Sequence, residues 1–119
     1  MITQELPEIP VPWGFLKGQI FGETQNRTPI LCLHGYLDNS NSFKPLAPYL
    51  LENGKYYLIA IDGPGQGFSS KLNDPMLFNC KTFILAIRKA ITHLNLKNFI
   101  LLTHSFGCTQ ALMVKLKTN

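Results

Sequence analysis

The residue best placed to do chemistry in this chain is Ser105, in the string Thr103-His104-Ser105-Phe106-Gly107. An unbroken apolar run, Phe99-Ile100-Leu101-Leu102, precedes it, and the pattern from Phe106 to about Leu116 predicts a helix. Where a strand turns straight into a helix, the residue at the turn is held in a strained backbone conformation. Its side chain then stands clear of the carboxyl edge of the sheet. A hydroxyl presented there can attack a carbonyl carbon once a base has taken its proton. Residues two positions to either side pass close together and must be small. Gly107 meets that demand, Thr103 crowds the turn with a β-branched side chain, and Cys108 is tolerable. The competing reading is a serine that caps the last helix from its N-cap position. Placement between a buried strand and a helix favours the nucleophile turn. Activation also needs a base and an acid to orient it, and between Phe106 and Asn119 there is no Asp, Glu or His.

Two further strings bear on the same chemistry. His34-Gly35-Tyr36 follows the apolar run Ile30-Leu31-Cys32-Leu33, and glycine at its centre lets a backbone N–H face the nucleophile. The N–H groups of Tyr36 and Phe106 together would stabilise charge developing on a carbonyl oxygen. His34 is expected to brace this loop and not to act as acid or base. The second string, Asp62-Gly63-Pro64-Gly65-Gln66-Gly67-Phe68-Ser69, resembles a phosphate loop only superficially. A dinucleotide fingerprint needs a third glycine where Ser70 stands, and no Gly-Lys-Ser/Thr follows to make a Walker loop. The expected role is a tight turn behind the nucleophile, with Asp62 tied to loop backbone and not serving as the triad acid. His104 is expected to point away from Ser105. His93 falls at a helix C-terminus, where the dipole favours its charge. Neither is expected to be the general base.

These residues need a scaffold, and alternating runs supply one. Residues 1–12 carry Pro7, Pro10 and Pro12 and read as a Pro-rich extension, with the domain beginning at Trp13. Trp13 to Phe21 predicts a strand bent at Gly18, and Gly22 to Pro29 a polar turn. Ile30–Leu33 and Tyr56–Ile61 have the unbroken apolar character of strands buried on both faces. A helix is predicted over Ser42–Leu51, where Pro48 implies a kink or two short pieces. The clearest helix runs from about Phe78 to Leu94, with Ile84, Ile87, Ile91 and Leu94 on one face. Strands alternating with helices predict an α/β fold, a mostly parallel sheet with helices on both faces.

Composition narrows the classes. A length of 119 residues allows one domain, and 45% hydrophobic against 15% charged residues excludes a disordered chain. The net charge of +4 is spread without a run longer than Arg88-Lys89, which argues against nucleic acid as a partner. Cys32, Cys80 and Cys108 are an odd set without metal-ligand spacing. They predict reduced thiols in an intracellular, cytoplasmic protein and neither a metal site nor a disulfide frame. No cofactor is expected. The first residues lack the charged-then-apolar pattern of a leader, and no apolar run is long enough to span a bilayer.

In this order, the strings Leu31-Cys32-Leu33-His34-Gly35-Tyr36-Leu37-Asp38-Asn39, Asp62 to Ser70 and His104-Ser105-Phe106-Gly107 resemble the α/β-hydrolase superfamily. Within it they look most like the serine hydrolase-like proteins. The resemblance runs from about Trp13 to Met113 and implies the N-terminal part of that fold, with C-terminal strands and cap missing. It implies Ser105 as nucleophile, Tyr36 and Phe106 as oxyanion-hole backbone, and a small ester-like or acyl substrate. His34, Gly35, Asp62, His104 and Gly107 would support the site. A cytosolic or peroxisomal setting is also implied, although Lys117-Thr118-Asn119 is no Ser-Lys-Leu signal. The family's strand order would leave Phe99–Thr103 as an apolar sheet edge, open to self-association. The expectation is a serine hydrolase fragment inactive by itself; the alternative is a non-catalytic remnant acting as a binding module. A nucleotide-binding domain is disfavoured by the glycine spacing.

Overall fold

The computed structural model describes residues 1–105. Among the described residues seven strands form: β1 (Thr3–Glu5), β2 (Ile9–Val11), β3 (Gly14–Leu16), β4 (Gly18–Phe21), β5 (Thr28–Leu33), β6 (Tyr56–Ile61) and β7 (Ile100–Thr103). Five of them make one sheet in the order β1-β4-β6-β5-β7, while β2 and β3 pair as a separate hairpin. The parallel core of the sheet is β6-β5-β7, and β1 and β4 extend it antiparallel. The helix predicted after Phe106 lies outside the described residues.

Ile30–Leu33 of β5 and the whole of β6 are apolar because both their faces are covered. Alternation sorts their side chains. Leu31, Leu33, Ile59 and Ile61 face one core with Ile84, Ala86, Ile87 and Ala90 of the helix α2 (Cys80–His93). Ile30, Cys32, Leu58 and Ala60 face the other, with Phe43 and with Ala47 of the short helix α1 (Ala47–Leu50). Helices therefore cover both faces. Gly18 is required where β4 meets β6, since a Cβ there would clash with the carbonyl oxygen of Ala60.

Local chemistry accounts for the differences from the predicted elements. The helix expected over Ser42–Leu51 divides into a 3-10 turn at Ser40–Phe43 and α1. Pro48 falls in the first turn of α1, where a missing N–H leaves no bond unmade. Asn79 caps α2, its side chain accepting from the Thr82 N–H at 3.1 Å. The helix stops where Asn95 turns left-handed (φ +53°), with Leu96 N–H donating to Ile91 and Asn95 N–H to Thr92. The predicted strand Trp13–Phe21 breaks at Lys17, whose N–H donates to Ser69 Oγ at 2.8 Å.

Residues 1–12, set apart in the sequence as an extension, carry β1 and β2. Leu6, Ile9 and Val11 are buried in the same core as α2. Polar Thr3-Gln4-Glu5 forms a strand because its backbone pairs with β4, a long-range contact that leaves no apolar pattern in the sequence.

Candidate active site

β7 delivers Ser105 to the carboxyl edge of the sheet. The parallel ladder with β5 continues one residue past the strand, the His104 N–H donating to Leu33 O at 3.1 Å. The chain then turns. Ser105 has φ +55°, a left-handed conformation that costs a non-glycine residue about 1–2 kcal/mol, and it is exposed. A strained residue held at the carboxyl end of a parallel strand points to function.

The loop after β5 lies directly against that turn. A Cβ on Gly35 would come within 3.3 Å of both His104 Nδ1 and Ser105 Cβ, so glycine permits the approach. Gly35 O accepts from the Asp38 N–H at 3.2 Å, closing a turn whose third residue, Leu37, is also left-handed (φ +58°). Tyr36 is exposed and packs edge-on against Phe78, ring centres 5.5 Å apart, and Phe78 in turn against Phe83 of α2. The second amide assigned to charge stabilisation, that of Phe106, lies outside the described residues, as do Gly107 and Cys108.

His34 is buried and bridges two loops. The Gly63 N–H donates to its Nε2 at 2.8 Å, so Nε2 is unprotonated and Nδ1 carries the hydrogen, 2.7 Å from Gly35 O. Both nitrogens are engaged with backbone. Asp62 is equally committed: Oδ1 accepts from the Ser40 N–H (2.7 Å) and Oδ2 from the Phe68 N–H (3.1 Å). Its backbone oxygen accepts from Ser69 Oγ at 2.6 Å. Gly67 (φ +53°) leaves room for this carboxylate, since a Cβ there would sit 2.6 Å and 2.7 Å from its two oxygens. His104 is exposed, with Nδ1 near Gly35, and His93 ends α2 on a different part of the molecule.

The sequence reading left Asp38 without a role. Its carboxyl is held below the ordinary carboxylate range, first by the Ser42 hydroxyl, against an opposing desolvation that is the next largest effect, and further by the Asn39 N–H at 2.9 Å. The signal available was Asp38-Asn39-Ser40 ahead of a helix, a cluster typical of turn and capping residues. Burial pushes the Cys32 thiol up to about 12, which keeps it an inert core residue. Among the described residues, no group of three or more His, Cys, Asp or Glu is placed to hold a metal ion. No helix among them is long and apolar enough to cross a membrane.

A parallel sheet core covered by helices, with a left-handed serine at the carboxyl end of the parallel strand β7, defines a hydrolase-type architecture. The alpha/beta hydrolase fold family matches residues 28–118, and the chain belongs to it. Similar relatives include the serine hydrolase-like protein of Danio rerio, 39% identical over 99 residues, covering 83% of this chain and 29% of that protein. A serine hydrolase-like protein of Homo sapiens is 38% identical over 100 residues, covering 84% of this chain and 48% of that one. The chain thus spans less than half the length of these relatives. Among solved structures, the thioesterase domain from the curacin biosynthetic pathway superposes with a TM-score of 0.85 at 23% identity. That match covers 96% of this chain and 41% of the thioesterase domain, and at this identity it shows the shared fold.

Proposed function

We propose that Ser105 is the nucleophile of an esterase-type serine hydrolase, acting on a small ester-like or acyl substrate. The observation that carries this is the left-handed Ser105 at the end of β7, packed against Gly35. In the reaction a base takes the Ser105 proton and the oxygen attacks the ester carbonyl carbon. The alcohol leaves with a proton, and water then hydrolyses the acyl-serine. The Tyr36 and Phe106 N–H groups stabilise the oxyanion.

These 119 residues supply the nucleophile without its partners. His34 and Asp62 are bound to backbone, and no Asp, Glu or His follows Ser105. The chain alone is therefore expected not to turn over substrate. A fluorophosphonate probe, which labels only activated serines, tests this. The 119-residue chain should stay unlabelled. A longer product that adds an acid and a histidine should label at Ser105 and lose the label on Ser105→Ala. Label that survives Ser105→Ala in the longer product would overturn the assignment. Absence of label in every product containing an added acid and histidine would favour a non-catalytic binding module. Self-association belongs to the same reading. Among the described residues β7 pairs on one side only, with Ile100 43% exposed. Sedimentation velocity should show a concentration-dependent mass, and a monomer at all concentrations would dismiss it.

A further inference from the structure

Gln66 is buried, only 7% exposed, and its Oε1 has no hydrogen-bond partner. It forms part of the wall of a small cavity of about 20 Å3 between the loops and α2. His34, Gly35 and Gly63 line the loop side, and Phe83 and Ile87 the helix side. An amide oxygen stripped of water and left unpaired costs free energy that native structures rarely leave uncompensated. The cavity exceeds the roughly 10–15 Å3 that one water needs. It is far smaller than the roughly 300 Å3 at which organic-ligand sites begin.

Charge narrows the occupant further. Neither a carboxylate nor a Lys or Arg is among the described residues lining the cavity, and both nitrogens of His34 are engaged with backbone. Nothing there favours an ion of either sign. Exchanging the oxygen and nitrogen of the Gln66 amide would orphan a donor in place of an acceptor. Water answers both.

We propose that one internal water molecule occupies this cavity, donating a hydrogen bond to Gln66 Oε1 and taking its remaining bonds from the loop backbone. The water would join an existing chain of bonds. The Gln66 N–H donates to Gly63 O at 2.9 Å, the Gly63 N–H to His34 Nε2, and His34 Nδ1 meets Gly35 O. It thereby fixes the Gln66 side chain into the unit that carries Gly35 against Ser105. The water site stands whether or not Ser105 is a nucleophile.

The test is water-to-protein magnetisation transfer on the intact 15N-labelled chain. Cross-peaks of dipolar sign, from a water that outlives tumbling, should reach the Gly35 or Gly63 amides or the Gln66 side-chain amide. In Gln66→Met, which keeps length and shape but removes the acceptor, the Gly35 and Gly63 peaks should disappear. No such peaks in the wild type, or peaks that persist in Gln66→Met, would overturn the proposal. If Gln66→Met does not fold, a crystallographic map of the wild type decides: a peak within hydrogen-bond distance of the Gln66 amide supports the site, and a dry cavity refutes it.

Discussion

Replacing Asp62 tests whether this carboxylate is a loop anchor or a reserve of catalytic charge. It is 2% exposed, and its oxygens accept from two backbone N–H groups on different loops, Ser40 and Phe68. Hydrogen bonds to a charged group contribute about 1.5–3 kcal/mol each, and a buried donor left without a partner forfeits that amount. Asp62→Ala strands both donors and should cost about 3–6 kcal/mol. Asp62→Asn keeps one acceptor oxygen but turns an NH2 toward the other N–H, for a loss of about 2–4 kcal/mol. Against a typical stability of about 5–15 kcal/mol, either change is severe. Urea unfolding of the three chains should show a falling midpoint with an unchanged slope, and hydrogen exchange should quicken at the Ser40 and Phe68 amides. A residue kept for its charge behaves oppositely: its removal leaves stability unchanged or raised. Asp62→Asn within about 0.5 kcal/mol of wild type, with both amides still protected, would refute the anchor assignment.

Ser105→Gly should relieve the left-handed strain of about 1–2 kcal/mol while adding about 0.5–1 kcal/mol of unfolded-state entropy. Its urea midpoint should equal or exceed wild type, whereas Ser105→Ala, which keeps the strain, should gain nothing. In a Cys108→Ala chain, a thiol reagent should modify exposed Cys80 quickly and buried Cys32 only on unfolding. Equal native rates would contradict the burial of Cys32. Asp38 has a lowered folded pKa, so its contribution is present above its unfolded value near 3.9 and is lost as pH falls through the lower folded value. Acid unfolding of Asp38→Asn should accordingly be less steep than that of wild type below about pH 4.

The sheet core was legible because β5 and β6 are buried on both faces, and burial on both faces writes itself as an unbroken apolar run. The division of the α1 region was legible from Pro48, which cannot continue a helix already begun. The N-terminal strands were hidden for the converse reason. Thr3–Glu5 is exposed along its whole length and owes its conformation to backbone pairing with β4. Around Ser105 the glycines and the order of the strings were readable, but the partners of Asp62 were not. Its contact with the Ser40 N–H joins loops after two different strands, and neither residue type announces the other. Gln66 was hidden as well, because a glutamine in a glycine-rich loop reads as solvated until the fold buries it.

The strand order has a kinetic consequence. β5 lies between β6 and β7, and its pairing with β7 joins Ile30 to Ile100, more than half the chain apart. Local contacts reward the chain early, whereas so distant a closure is entropically dear until the rest of the sheet exists to receive it. β4, β5, β6 and α2 can therefore assemble while one side of β5 is still bare. Docking β7 is the late step, and the same step bends Ser105 into its left-handed turn and seats it on Gly35. As the chain leaves the ribosome, the interval before residue 103 emerges is when the apolar flank of β5 needs protection. Docking of β7 and assembly of the serine's surroundings are one event.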